Sequence, residues 1–184
     1  MTTRWLLDPV FSHTAAAGVG AVLILAALAK LRDIALFRAA LDNYRLVPTA
    51  LLTGVAWLIP LLELLAGGLL LPTSTRSWGA ALGLTVLLIV SGAVAFKIIS
   101  RSERIDCGCG SEADEIPISA ALLARNAVLV ALTWLAMQPV AERSTVWLDI
   151  MAVVLGTVFF LGLYQTVNLW LSHQPRLEEM RQTL

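Results

Sequence analysis

Five apolar runs, each near the length needed to cross a bilayer, leave this chain little choice of architecture. About twenty helical residues span the hydrocarbon layer, where every backbone polar group has to be satisfied internally. Membrane helices are therefore expected at Val10–Ala29, Ala50–Leu71, Trp78–Ile99, Ile118–Met137 and Thr145–Leu171. Composition agrees, with 58% of the 184 residues hydrophobic and 14% charged, too apolar for a soluble domain of this size. The formal net charge is zero, which offers nothing to nucleic acid. Asp8-Pro9 interrupts any signal-peptide core after Trp5, so the first run is expected to stay as a helix. The expectation is one all-α, polytopic membrane helix bundle over residues 1–184, solvated by the lipid bilayer.

The segments between the runs differ in character. Ile34, Phe37, Leu41 and Tyr44 recur at helical spacing among Arg32, Asp33, Arg38, Asp42 and Arg45, the pattern of an amphipathic helix lying on the membrane surface. Pro48 is expected to close it, since the residue before a proline is pushed out of helical geometry. Gly18 and Gly20 in the first run, and Gly79 and Gly83 in the third, give small faces for close helix packing. Lys30 and Lys97 near run ends are expected to reach the headgroups. The tail 172–184 is polar and expected to be surface-bound or mobile.

Three features inside the spans are anomalous. Pro60 removes a helical donor and is expected to kink its helix, freeing the Ala56 carbonyl. Glu63 and Arg125 are charges within apolar runs, where an unpaired ion costs roughly 2.5–3.5 kcal/mol. Pairing between them is the leading structural expectation. Asn126 could then donate to the carbonyl freed by Pro60.

The polar segment 100–117 holds the chain's only two cysteines, in Asp106-Cys107-Gly108-Cys109-Gly110. A disulfide needs its Cβ atoms about 3.5–4.5 Å apart. Gly108 and Gly110 permit the sharp turn this demands. Residual strain would make such a bond easily reduced and therefore oxidising. Two other readings stay open: reduced thiols in a tight turn, or metal binding with the distant His13 and His173. Asp106, Glu112, Asp114 and Glu115 disfavour a thiolate, whereas Arg101, Arg104 and the start of the fourth apolar helix, with Ser119 as a candidate N-cap, favour it. Glu63 could accept or relay a proton released when a dithiol is oxidised, and Arg125 could reach towards the loop. A quinone is a candidate electron acceptor because the bundle is apolar, although no residue marks a site for it.

With five spans, Lys30, Arg32, Arg38, Arg45, Lys97, Arg101, Arg104, Arg176 and Arg181 share one side, and Arg4, Arg76 and Arg143 the other. The excess of positive residues puts the cysteine segment in the cytoplasm.

In order along the chain, Ala29-Lys30-Leu31-Arg32, Phe37, Tyr44-Arg45-Leu46-Val47-Pro48, Pro60-Leu61-Leu62-Glu63, the Cys-Gly-Cys segment and Leu123-Ala124-Arg125-Asn126 together resemble the MauE family of methylamine-utilisation membrane proteins, within the wider DoxX-like group. The resemblance covers Val10 to Met137. It implies a four-helix DoxX-like core, to which the run 145–171 adds a fifth transmembrane helix. It also implies disulfide chemistry with a thioredoxin-like partner during maturation of the methylamine dehydrogenase small subunit, in the bacterial cytoplasmic (inner) membrane. Cys107 and Cys109 correspond to the redox pair, and Glu63, Arg125 and Asn126 to recurrent polar positions. Cys109 is followed directly by Gly110, where the family often carries a bulky residue. Maturation of an exported subunit belongs outside the cytoplasm, against the positive-residue count, so the side of the loop stays open between the two. The competing expectation is a non-enzymatic membrane assembly or anchoring subunit with incidental cysteines.

Overall fold

The computed structural model describes residues 7–99, 120–141 and 143–182, with side chains for 7–99, 121–141 and 143–171. Cys107, Gly108, Cys109 and Gly110, with the rest of segment 100–117 and Ser119, lie outside the described residues. Six helices follow one another: α1 (Pro9–Arg32), α2 (Ile34–Tyr44), α3 (Leu52–Leu70), α4 (Arg76–Ile99), α5 (Ala120–Ala136) and α6 (Trp147–Gln182). No strand occurs among the described residues; Leu7 and Val140 form a single isolated bridge. In length and apolarity α1, α3, α4 and the part of α6 up to Leu171 suffice to cross a membrane, and α5 is a shorter apolar helix.

Helices α1, α3, α4 and α5 pack as a closed ring, with α6 laid against α1. The core draws on all four ring members: Val19, Val22 and Leu23 from α1, Ala66 and Leu70 from α3, Ala80 and Leu87 from α4, and Leu129 from α5. Lipid cannot drive such helices together by the hydrophobic effect, so close contact has to come from small residues. A Cβ on Gly67 would lie 2.7 Å from the Gly20 carbonyl oxygen, and one on Gly79 would lie 2.5 Å from the Leu70 nitrogen. Gly18 takes the ring of Phe160 from α6 in the same way. Gly83, the second glycine of the pair in α4, meets only ordinary contacts.

At the amino-terminal end of α1, Asp8 caps the helix by accepting from the Val10 N–H at 2.9 Å. Arg143 spans from Asp8 to Asp149 in the first turn of α6, at 3.1 and 2.8 Å. The Arg143 guanidinium, and after it the Val10 N–H, holds the Asp8 carboxyl below its ordinary value. Arg76 opens α4 rather than lying in the preceding turn; it is buried and donates to Ser12, which in turn donates to the Ala136 carbonyl.

Helix α2 follows its sequence pattern, with Phe37 and Tyr44 buried and Ile34 and Leu41 half-buried. It ends earlier than Pro48 requires, because Arg45 adopts a left-handed cap with φ 49° and its N–H bonds to the Asp42 carbonyl. Pro60 sits buried inside an uninterrupted α3. Helix α6 runs on through the segment expected to be a polar tail, as far as Gln182.

Gly67 and Gly68 provide a matched test of the packing. Gly67→Ala should lower stability in detergent by about 1–3 kcal/mol through overpacking against α1. Gly68 has no neighbour within 4 Å of an added Cβ, so Gly68→Ala should be neutral or stabilising by up to about 1 kcal/mol. Thermal unfolding of the two variants side by side reads the difference.

Candidate functional site

The charge on α3 finds its partner on α1. Lys30 Nζ lies 2.6 Å from both carboxylate oxygens of Glu63, and both side chains are about 95% buried, with 5% and 6% exposed. The expected Glu63–Arg125 pair does not form, and Lys30 does not anchor α1 at the headgroups. The reason is geometric. The contact of Gly20 with Gly67 sets the register between antiparallel α1 and α3, and places Glu63 roughly 9 Å deeper along the axis than Lys30. The Cα–Cβ bond leans towards a helix's own amino terminus. Lys30 therefore leans inward and Glu63 leans outward, and the long lysine stem closes the gap. The Phe37 ring of α2 covers the ammonium with its centroid 5.6 Å away, a favourable placement for a desolvated cation.

Beside this pair is a cavity of about 210 Å³, almost wholly apolar. Lys30, Phe37, Tyr44, Ile59, Ala93 and Val94 are among its walls. Ile89 also lines it and is 64% exposed midway along α4, so one side of the cavity meets the hydrocarbon.

A second polar group lies across the bundle. Arg125 donates to Asn168 of α6 at 2.7 Å and to Asn126 at 3.3 Å, and its guanidinium stacks 5.4 Å from the centre of the Tyr164 ring. Its Nε is buried without a hydrogen-bond partner. Asn126 donates to Ser91 of α4 at 3.2 Å, not to the Ala56 carbonyl. Lys97 is buried as well, with 8% of its surface exposed, instead of extending to the headgroups.

Glu63 and Arg125 thus serve separate networks, both on the half of the bundle where α4 ends and α5 begins. Val94 marks this connection, since it lines the cavity and packs against Leu122 of α5 and Leu171 of α6. Ile99 and Ala120, the described residues flanking the cysteine segment, belong to this end. Lys30, read only as a headgroup contact and as part of a shared motif, and Asn168 are the site residues whose roles the sequence did not show. The inward lean of a lysine on the last turn of a membrane helix was the available signal for the first.

A ring of membrane helices with a buried ion pair beside an apolar, bilayer-facing cavity defines a multi-pass membrane protein with a polar interior. The chain belongs to the MauE family: the family model described as methylamine utilisation protein MauE matches residues 8–139. It is similar to the methylamine utilization proteins MauE of Paracoccus denitrificans, 29% identical with 70% of this chain and 69% of the relative covered, and of Paracoccus versutus, 33% identical with 69% and 68% covered. That of Methylorubrum extorquens is 37% identical, with 73% and 75% covered. No solved structure matches. Helix α6 begins beyond the matched residues.

A buried pair is stable only as a pair. Lys30→Met or Glu63→Leu alone should cost about 3–5 kcal/mol, whereas the two together should return stability to near or above the starting value. A double-mutant cycle on thermal unfolding in detergent measures this coupling; additive losses would show that the charges are independent.

Proposed function

We propose that this chain is the membrane component of a thiol–disulfide exchange system for methylamine utilisation, with Cys107 and Cys109 cycling between dithiol and disulfide. The observation that carries the reading is the chain's only two cysteines, spaced one glycine apart within the residues matched by the family. Gly108 and Gly110 would shape the loop. Glu63, Arg125 and Asn126 would support it from the half of the bundle to which α4 and α5 connect the cysteine segment. Five helices cross the bacterial cytoplasmic membrane in this reading, α1, α3, α4 and α5 as a DoxX-like core and α6 as an addition. A thioredoxin-like protein exchanges with the cysteine pair, and the methylamine dehydrogenase small subunit is the exported protein whose disulfides are formed.

In exchange, a thiolate attacks a disulfide sulfur, one S–S bond forms as another breaks, and the departing thiolate takes a proton. Cys107→Ser and Cys109→Ser should each lower disulfide-bonded small subunit by about tenfold or more, since each removes one of the two thiols, attacking or resolving, and with it the intramolecular bond. Non-reducing electrophoresis of the exported subunit reads this, with immunoblotting to verify that the variants accumulate normally. Undiminished maturation in both variants would make the cysteines incidental and the chain an assembly or anchoring subunit.

A further inference from the structure

Each round of disulfide formation leaves the chain's own pair as a dithiol. Its reoxidation releases two electrons and two protons, and the acceptor has to take up both. We propose that the cavity between α2, α3 and α4 binds a quinone, a ring with two carbonyl oxygens and an isoprenoid tail, as that acceptor. The assignment of a redox role to the ligand rests on the function proposed above; its binding does not.

Three features fit this ligand class. The walls are almost wholly apolar, and Phe37 and Tyr44 place aromatic rings in them beside which a planar ring can pack. One side meets the hydrocarbon at Ile89, so a lipid-soluble molecule can enter laterally without crossing water. At the inner wall stands Lys30, an ammonium held in place by Glu63 and covered by Phe37. The pair is neutral overall, but Lys30 and not Glu63 lines the cavity, so a quinone oxygen bound there meets the positive end of a fixed dipole, which favours the negative charge that builds on it as electrons arrive. An acyl chain would fill the apolar walls equally well but would draw nothing from Lys30, and this separates the two occupants.

The overall step balances: two S–H bonds break and one S–S bond forms, while the quinone gains two electrons and two protons and becomes a quinol with two new O–H bonds. Lys30 and Glu63 return to their starting states. Both are positioning and charge-stabilising residues in this scheme.

The test is equilibrium binding of decylubiquinone to the full chain in phosphatidylcholine nanodiscs, with empty nanodiscs subtracting partition into lipid. Saturable binding is expected. Ala93→Phe puts bulk into the cavity from α4 while leaving both charged side chains in place and should weaken it about tenfold or more, and Lys30→Met/Glu63→Leu, which retains a balanced interior, should do likewise. Gly92→Phe, where an added Cβ has no neighbour within 4 Å, should bind like the unaltered protein, as should Cys107→Ser/Cys109→Ser. Thermal unfolding confirms that each variant is folded. No saturable binding, or unchanged affinity in folded Ala93→Phe, overturns the site. Unchanged affinity in the folded double ion-pair variant reduces the cavity to a lipid groove and overturns the assignment too. If binding holds while the cysteine variants still mature the small subunit, the exchange function fails and the quinone site stands. If binding fails while those variants lose maturation, only the site falls.

Discussion

A charge inside a bilayer has to meet its opposite within the protein, and in this chain that demand is met across the α1–α3 contact. The Lys30–Glu63 pair forms only because two helices approach closely enough, in the right register, for a lysine near one membrane face to reach a carboxylate well below it. The approach itself depends on Gly20 and Gly67, which leave no room for a Cβ between the two backbones. Packing and electrostatics are thus a single arrangement: the small residues set the distance, and the charges fix the depth at which the helices lie.

The short amphipathic helix α2 completes that arrangement. Helix α2 brings Phe37 over the ammonium and Tyr44 into the cavity wall. Its stop at Arg45, in a left-handed conformation that costs a non-glycine residue about 1–2 kcal/mol, lets the chain turn back towards α3. At the opposite end the demands are milder. Asp8, Arg143 and Asp149 meet in solvent-accessible surroundings, where such contacts orient helix ends more than they stabilise them.

Much of the fold was legible in the sequence because span length and helical period are imposed by the bilayer itself. The first four apolar runs match helices to within three residues at each end, the fifth only at its start, and Phe37 and Tyr44 faced inward as their spacing required. Glu63 and Arg125 were recognisable as costly, but their partners were not, because pairing depends on rotation and depth that no local pattern encodes. Lys30 was misread for a specific reason: closeness to a run's end suggests a headgroup contact, whereas the lean of the Cα–Cβ bond at the carboxyl-terminal end of a helix directs the stem inward. The polar composition beyond Leu171 did not stop α6. The cysteine pair stood out in the sequence by its spacing alone, and the described geometry adds only the helices that lead to it and from it.

Helix α6 starts beyond the stretch shared with the family, yet Asn168 on it is the nearest hydrogen-bond partner of Arg125, which lies within that stretch. Phe160 and Gly156 of the same helix press against Gly18 and Thr14 of α1. The ring of four helices is therefore not modular in this chain: an arginine in its interior has been made to depend on a helix outside the matched stretch, and the boundary of the family match is not a boundary of the polar network.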